Sequence, residues 1–229
     1  NIEGLAKPSY ELALYYKFAS NWANGLLPYK DFYPEYPPFS LVFMRLALIF
    51  GEKYYTITFY GLVFLAIVIM LLIVHKLGGK LWIFLATILP IGGLLWDRFD
   101  IFPALLGILG IFLAIKNRPV WAAFVLSLGF MTKIFPVFLT PILLINFWEE
   151  PKTIVPSILA FIVPAIITIG IIMSYGGGDG LLKFVKYQGV RGTQIESFRA
   201  TPLLWGYLKG RTNLVVEYNH ATYEIKEIK

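Results

Sequence analysis

Apolar residues fall into long runs separated by short polar turns, with no strict alternation along the chain. Residues 54–74 and 153–175 carry no charge. Each is long enough to cross a bilayer, which takes about 20 apolar residues in a helix. Residues 81–96, 101–115, 119–132 and 134–148 are shorter uncharged runs. They become spans where flanking side chains snorkel or the bilayer thins. Pro90, Pro103, Pro136, Pro141, Pro156 and Pro164 lie inside these runs and predict kinks, which membrane helices tolerate. The absence of alternation excludes a β-barrel. Residues 39–50 are apolar but short and contain Arg45, which predicts a tucked-in segment and not a crossing.

Helical periodicity appears first in residues 9–24. Leu12, Tyr15, Tyr16, Ala19, Trp22 and Ala23 share one face, Ser9 suits an N-cap, and Gly25 stops the helix. Its Tyr and Trp content suits a membrane interface. Pro28, Pro34, Pro37 and Pro38 then forbid regular helix. After residue 175 the chain becomes polar, with Gly176, Gly177 and Gly178 as a hinge. The pattern predicts an all-α polytopic transmembrane bundle of about six spans plus interfacial helices. Residues 1–38 form a first loop, 39–175 the transmembrane module and 176–229 a tail. The start at Asn1 and the polar end at 224–229 read as a segment of a longer membrane protein.

Composition agrees. Of 229 residues, 58% are hydrophobic and 15% charged, too few to coat a soluble globule of this size. The net charge of +6 sits between apolar runs, so membrane lipids explain it and nucleic acid is set aside. There is no cysteine, hence no disulfide or thiol–metal site. With six crossings and residues 1–38 outside, Lys76, Lys80, Lys116, Arg118 and Lys152 lie inside, against Lys53, Arg98 and Lys133 in outer turns. That balance favours a positive interior. An even number of crossings puts the first loop, the turn at 96–100 and the tail on one face.

Scarce charges at membrane depth are candidates for function. Glu11, Lys30, Asp31 and Glu35 lie in the first loop. Asp97, Arg98 and Asp100 sit between two apolar runs. Lys133 occupies a short turn, and Arg191, Glu196 and Arg199 lie in the tail. Carboxylates can serve as a general base or hold a cation, and Arg and Lys can hold a phosphate. Such a mixed site suits transfer from a lipid-phosphate carrier. Ordinary explanations exist for each residue: Asp97, Arg98 and Asp100 as a neutralised helix turn, Glu35 as a solvated loop residue, Lys133 and Arg45 as snorkelling cations. No metal-ligand cluster is visible, so the metal site is unknown and no cofactor is certain; a divalent cation fits the carboxylates without being specified by them. A transporter or flippase for lipid-linked sugars is an alternative that needs no chemistry, although the matched repeats of transporters are not seen. A non-catalytic scaffold is the third reading, and it leaves Glu11, Asp100 and Arg191 pointing apart.

Four stretches then carry a resemblance. Tyr10-Glu11-Leu12-Ala13-Leu14-Tyr15-Tyr16, Asn24-Gly25-Leu26-Leu27-Pro28-Tyr29-Lys30-Asp31-Phe32 and Glu35-Tyr36-Pro37-Pro38 form the first. Asp97-Arg98-Phe99-Asp100-Ile101-Phe102-Pro103 is the second, Gly129-Phe130-Met131-Thr132-Lys133-Ile134-Phe135-Pro136 the third, and Val190-Arg191-Gly192-Thr193-Gln194-Ile195-Glu196-Ser197 the fourth. In this order they resemble the GT-C membrane glycosyltransferases, and among them glycosyltransferase family 87, the polyprenyl-phosphate-mannose-dependent mannosyltransferases. The resemblance implies helices before the first loop and after the tail. It implies transfer of a hexose, mannose in that family, from a polyprenyl-phosphate sugar donor to the hydroxyl of a glycan or glycolipid acceptor. Transfer would occur with inversion, on the extracytoplasmic face of the plasma membrane. Glu11, four residues before Tyr15, stands where the family usually has the acidic base as Asp; Asp31 and Glu35 are the further candidates. Asp100 would orient the base or acceptor, or share a cation. Arg98, Lys133 and Arg191 would hold the carrier phosphate, with Lys30 and Glu196 among the substrate-binding residues.

Overall fold

The computed structural model describes residues 9–146, 151–190, 192–195, 197–219 and 222–228. Most of the described residues are helical. Two compact units emerge, Asn1–Gly180 and Leu181–Lys229.

The first unit opens with α1 (Tyr10–Ala23), bounded as its caps dictate. The Leu12 N–H donates to Ser9 Oγ at 3.3 Å, and Gly25 leaves the helix at φ +87°. Leu12, Tyr15 and Ala19 are buried on the expected face, and Phe18 joins them where Tyr16 and Trp22 are only half-buried. The short apolar segment after the proline-rich loop forms α2 (Ser40–Leu46), a tucked-in helix that packs on α1. Its Phe43 ring stacks on Phe102 at 4.5 Å.

Among the described residues, two helices are long and apolar enough to cross a membrane: the segment Glu52–Lys76, which contains α3 (Tyr55–Lys76), and α9 (Pro151–Ser174). Their outer faces are bare. Ile57 and Phe64 on α3 and Ile166, Ile169 and Ile171 on α9 are exposed, and Ile172 is the one buried residue described on α9. Helices with such faces suit a lipid solvent.

The other four runs form shorter pieces. Residues 81–96 divide into α4 (Leu81–Ile88), a 3-10 turn (Leu89–Ile91) and α5 (Leu94–Asp97). Pro90 cannot donate a backbone bond and Gly92 turns back at φ +58°, so this run breaks where a kink is expected. α6 (Ile101–Ile115) and α7 (Pro119–Thr132) are continuous. At 15 and 14 residues they extend about 22 and 21 Å, against about 30 Å of hydrocarbon. Residues 134–148 give a 3-10 turn (Phe135–Leu139) and α8 (Thr140–Asn146), with residues 147 and 148 outside the described set. Among the prolines of the apolar runs, only Pro156 and Pro164 sit inside a helix, α9; Pro103 and Pro141 fall in first turns.

α7 is the central helix, packed between α6 and α9. Small residues permit the approach: Gly110 and Ala114 on α6 meet Ala122 and Leu126 on α7, and Gly129 of α7 meets Leu106 of α6. The connection turns at Asn117, φ +53°, where the Arg118 N–H returns to the Leu113 carbonyl at 2.9 Å.

α10 (Gly178–Val190) starts at the glycine hinge and straddles the boundary between the units. The second unit then adds what the helical pattern missed, a small antiparallel sheet. Its strands are β1 (Thr193–Gln194), β2 (Asn213–Asn219) and β3 (Thr222–Ile228), in the order β1-β3-β2, with Val216 opposite Ile225. α11 (Ala200–Leu208) lies between β1 and β2 in sequence.

A Cβ on Gly110 would stand 2.7 Å from the Leu126 side chain, whereas one on Gly61 meets nothing within 4 Å. Gly110→Ala is expected to destabilise the helix pair by about 1–3 kcal/mol. Gly61→Ala should leave the unfolding midpoint in detergent unchanged, and equal midpoints for both variants would refute the packing account.

Candidate active site

Three sequence-distant segments of the first unit bring charges together. α1 supplies Glu11 in its first turn, the α5–α6 junction supplies Arg98 and Asp100, and the residue just after α7 supplies Lys133. Glu11 Oε1 lies 3.6 Å from Arg98, and Lys133 pairs with Asp100. Each of the four side chains keeps between a third and a half of its surface accessible: 34% for Glu11, 37% for Arg98, 39% for Asp100 and 44% for Lys133. They are reachable by a ligand, and solvent screening keeps either pair from being a strong structural lock.

The junction itself explains why Arg98 and Asp100 reach different partners. Arg98 is extended (φ −112°, ψ 143°), Asp100 is already helical, and Phe99 between them is buried. Its ring takes Tyr36 edge-on at 4.9 Å and Tyr15 edge-on at 5.5 Å, while Lys133 Nζ sits 5.7 Å from its centroid. Burial pushes the Tyr15 phenol above its ordinary range, and Tyr36, Asp100 and Glu11 add to the shift in that order. Tyr15 therefore feels both carboxylates of the two pairs. Asp97 faces elsewhere and accepts from the Tyr60 hydroxyl of α3 at 2.9 Å.

Backbone bonds fix the first loop against this cluster. The Phe39 N–H donates to the Met131 carbonyl at 2.9 Å, tying the end of the proline segment to the last turn of α7, two residues from Lys133. Tyr29 adopts φ +65°, rare for a residue with a side chain. It is held there by burial, by its hydroxyl donating to the Tyr36 carbonyl at 2.6 Å, and by Gly180, whose missing Cβ leaves room for the Tyr29 carbonyl. Asp31 accepts from the Leu27 N–H at 2.7 Å and closes the turn. Lys30 is exposed at the tip of that turn, and Glu35 is half-buried in the proline segment. Arg191 and Glu196 lie outside the described residues. Among the described residues no three His, Asp or Glu side chains gather as metal ligands.

Charge patterning in the sequence points to Glu11, Arg98, Asp100 and Lys133. It does not point to Phe99, Tyr15 and Tyr36, because aromatic residues are so common here that none stands out. A separate apolar groove of about 390 Å³ runs between α7 and α9. Phe39 and Met131 line it together with Leu128, Ala160, Pro164 and Thr168.

Asp31→Ala should lower stability by about 1 kcal/mol through loss of the turn bond, while Asp31→Asn, which can still accept, should retain most of it. Thermal unfolding in detergent separates the two. Tyr15 and Tyr29 are both raised by burial. Their folded values lie above the unfolded value of about 10, so their contribution is intact below about pH 10 and lost as pH rises through the folded values. In an ultraviolet phenolate titration, Tyr15→Phe should remove one late-titrating group; an unchanged late phase would contradict its burial.

A family model described as glycosyltransferase family 87 matches residues 33–197, which is 165 of the 229 residues. The match includes Glu35, Arg98, Asp100, Lys133, Arg191 and Glu196, and begins after Glu11, Lys30 and Asp31. No curated protein and no solved structure matches the chain.

Proposed function

Since the chain belongs to glycosyltransferase family 87 and is a membrane glycosyltransferase, we propose that it transfers a hexose from a polyprenyl-phosphate carrier to an acceptor hydroxyl. Family resemblance favours mannose as the hexose. The reading includes a six-crossing module, inversion at the sugar and a site on the extracytoplasmic face of the plasma membrane. The observation that carries it is the meeting of two accessible carboxylate–cation pairs, Glu11 with Arg98 and Asp100 with Lys133, around buried Phe99.

The chemistry follows from charge. In the donor, the phosphate linking sugar and lipid carries one negative charge. As the bond from the anomeric carbon to the phosphate oxygen breaks, the leaving lipid phosphate gains a second. Fixed cations stabilise that change more than the ground state. Arg98 and Lys133 are those cations, held by carboxylates until a phosphate competes for them. When Arg98 turns to the phosphate, Glu11 is released to take the proton from the acceptor hydroxyl. The acceptor oxygen then forms the new glycosidic bond from the opposite face, and the configuration inverts. Asp100 keeps Lys133 in place and orients the acceptor. Glu35 is the second candidate base. Asp31 first serves the turn it closes, and Lys30, Arg191 and Glu196 contribute to substrate binding. The groove between α7 and α9 suits the isoprenoid chain, since its lining is apolar and it reaches Met131, two residues before Lys133.

In a transfer assay with a radiolabelled polyprenyl-phosphate sugar and the full-length protein, Glu11→Gln should lower turnover about 10²–10⁴-fold, the usual worth of a general base. Arg98→Met should lower it about 10²–10³-fold, as for loss of one donor to a developing anion. Both should leave membrane insertion intact. Wild-type turnover in Glu11→Gln would sink the base assignment, and movement of the labelled lipid across the bilayer without transfer would favour a carrier instead.

A further inference from the structure

α11 presents a face that nothing in its own unit covers. Ala200 is fully buried, and the helix is seated on the start of β2 through the Thr212 hydroxyl, which donates to the Leu203 carbonyl at 3.4 Å. Gly206 allows that seat, since a Cβ there would stand 3.0 Å from Thr212 Oγ1. On the other side lie Phe198, 90% exposed, Trp205, 62%, and Leu208, 78%. Their spacing of seven and three residues places them within one sector of a helix that Phe198 leads into. Large apolar side chains this bare, clustered on one face, mark a contact surface.

The charges around that face identify what covers it. Arg199, Lys209 and Arg211 flank it, and residues 197–216 contain no Asp or Glu. Lys209 Nζ lies 5.1 Å from the centre of the Trp205 ring, an aromatic–cation pair at the polar edge of the apolar patch. Trp at the boundary between apolar face and cations is the arrangement that settles at headgroup depth, and the three flanking cations are complementary to anionic lipid. The same chain carries the bare lipid-facing surface of α9, which ends at Ser174, fewer than thirty residues before α11. We propose that α11 lies in the plane of the bilayer surface, with Phe198, Trp205 and Leu208 buried among the lipids and Arg199, Lys209 and Arg211 among anionic headgroups.

The absence of cysteine makes the test direct. Phe198→Cys, Trp205→Cys and Leu208→Cys, each labelled with a nitroxide, would be studied in the full chain in lipid nanodiscs, with Ile166→Cys on α9 as the reference for lipid exposure. Collision with oxygen reports lipid and collision with a nickel chelate reports water. In discs containing phosphatidylglycerol all three α11 labels should favour oxygen. Reversal of Arg199, Lys209 and Arg211 to Glu should move them toward water, each cation being worth roughly fivefold in partition at an anionic surface. Labels on α11 that favour the nickel chelate while Ile166 favours oxygen would overturn the proposal and leave the membrane assignment standing. Labels shielded from both reagents would overturn it too, in favour of a protein partner.

Discussion

The burial of Phe99 is the constraint on which the site depends. One ring, packed edge-on by Tyr15 and Tyr36 and touched on its face by Lys133, fixes the only segment that carries both Arg98 and Asp100. Because Phe99 is anchored, its neighbours diverge: Arg98 turns to α1, and Asp100 turns to the residue after α7. Apolar packing thus determines the placement of charge. Ion pairs this exposed are too weak to organise the segment by themselves. They are the consequence of the aromatic cluster and not its cause.

Much of the architecture was legible where local rules and tertiary packing agree. α1 begins and ends as Ser9 and Gly25 require. α6 and α7 match the uncharged runs residue for residue. α3 and α9 follow theirs to within a few residues. The runs at 81–96 and 134–148 were harder, since apolar composition says nothing about continuity. Pro90 with Gly92, and Pro136 with Pro141, divide them into pieces. The sheet left a signal in Val215, Val216, Tyr218, Tyr223 and Ile225, β-favouring residues on either side of a short polar turn. Glu217, Glu224, Lys226 and Glu227 give the same stretch the composition of a polar tail, which masks that alternation.

Within the site, the four charged side chains were legible because charge is scarce in such a chain. Their pairing was not, since Glu11 and Arg98 share no local pattern. Asp31 shows the limit from the other side: the carboxylate offered as a candidate base also closes a turn, and its bond to the Leu27 N–H leaves no mark in the sequence.

The bond from the Phe39 N–H to the Met131 carbonyl has an evolutionary meaning. Both partners are main chain, so hardly any side-chain substitution severs it; proline at position 39 is the evident exception. The neighbouring residues of the first loop can therefore change identity while their position relative to Lys133 is inherited. A loop stitched in this way can exchange its side chains without losing its place beside Lys133.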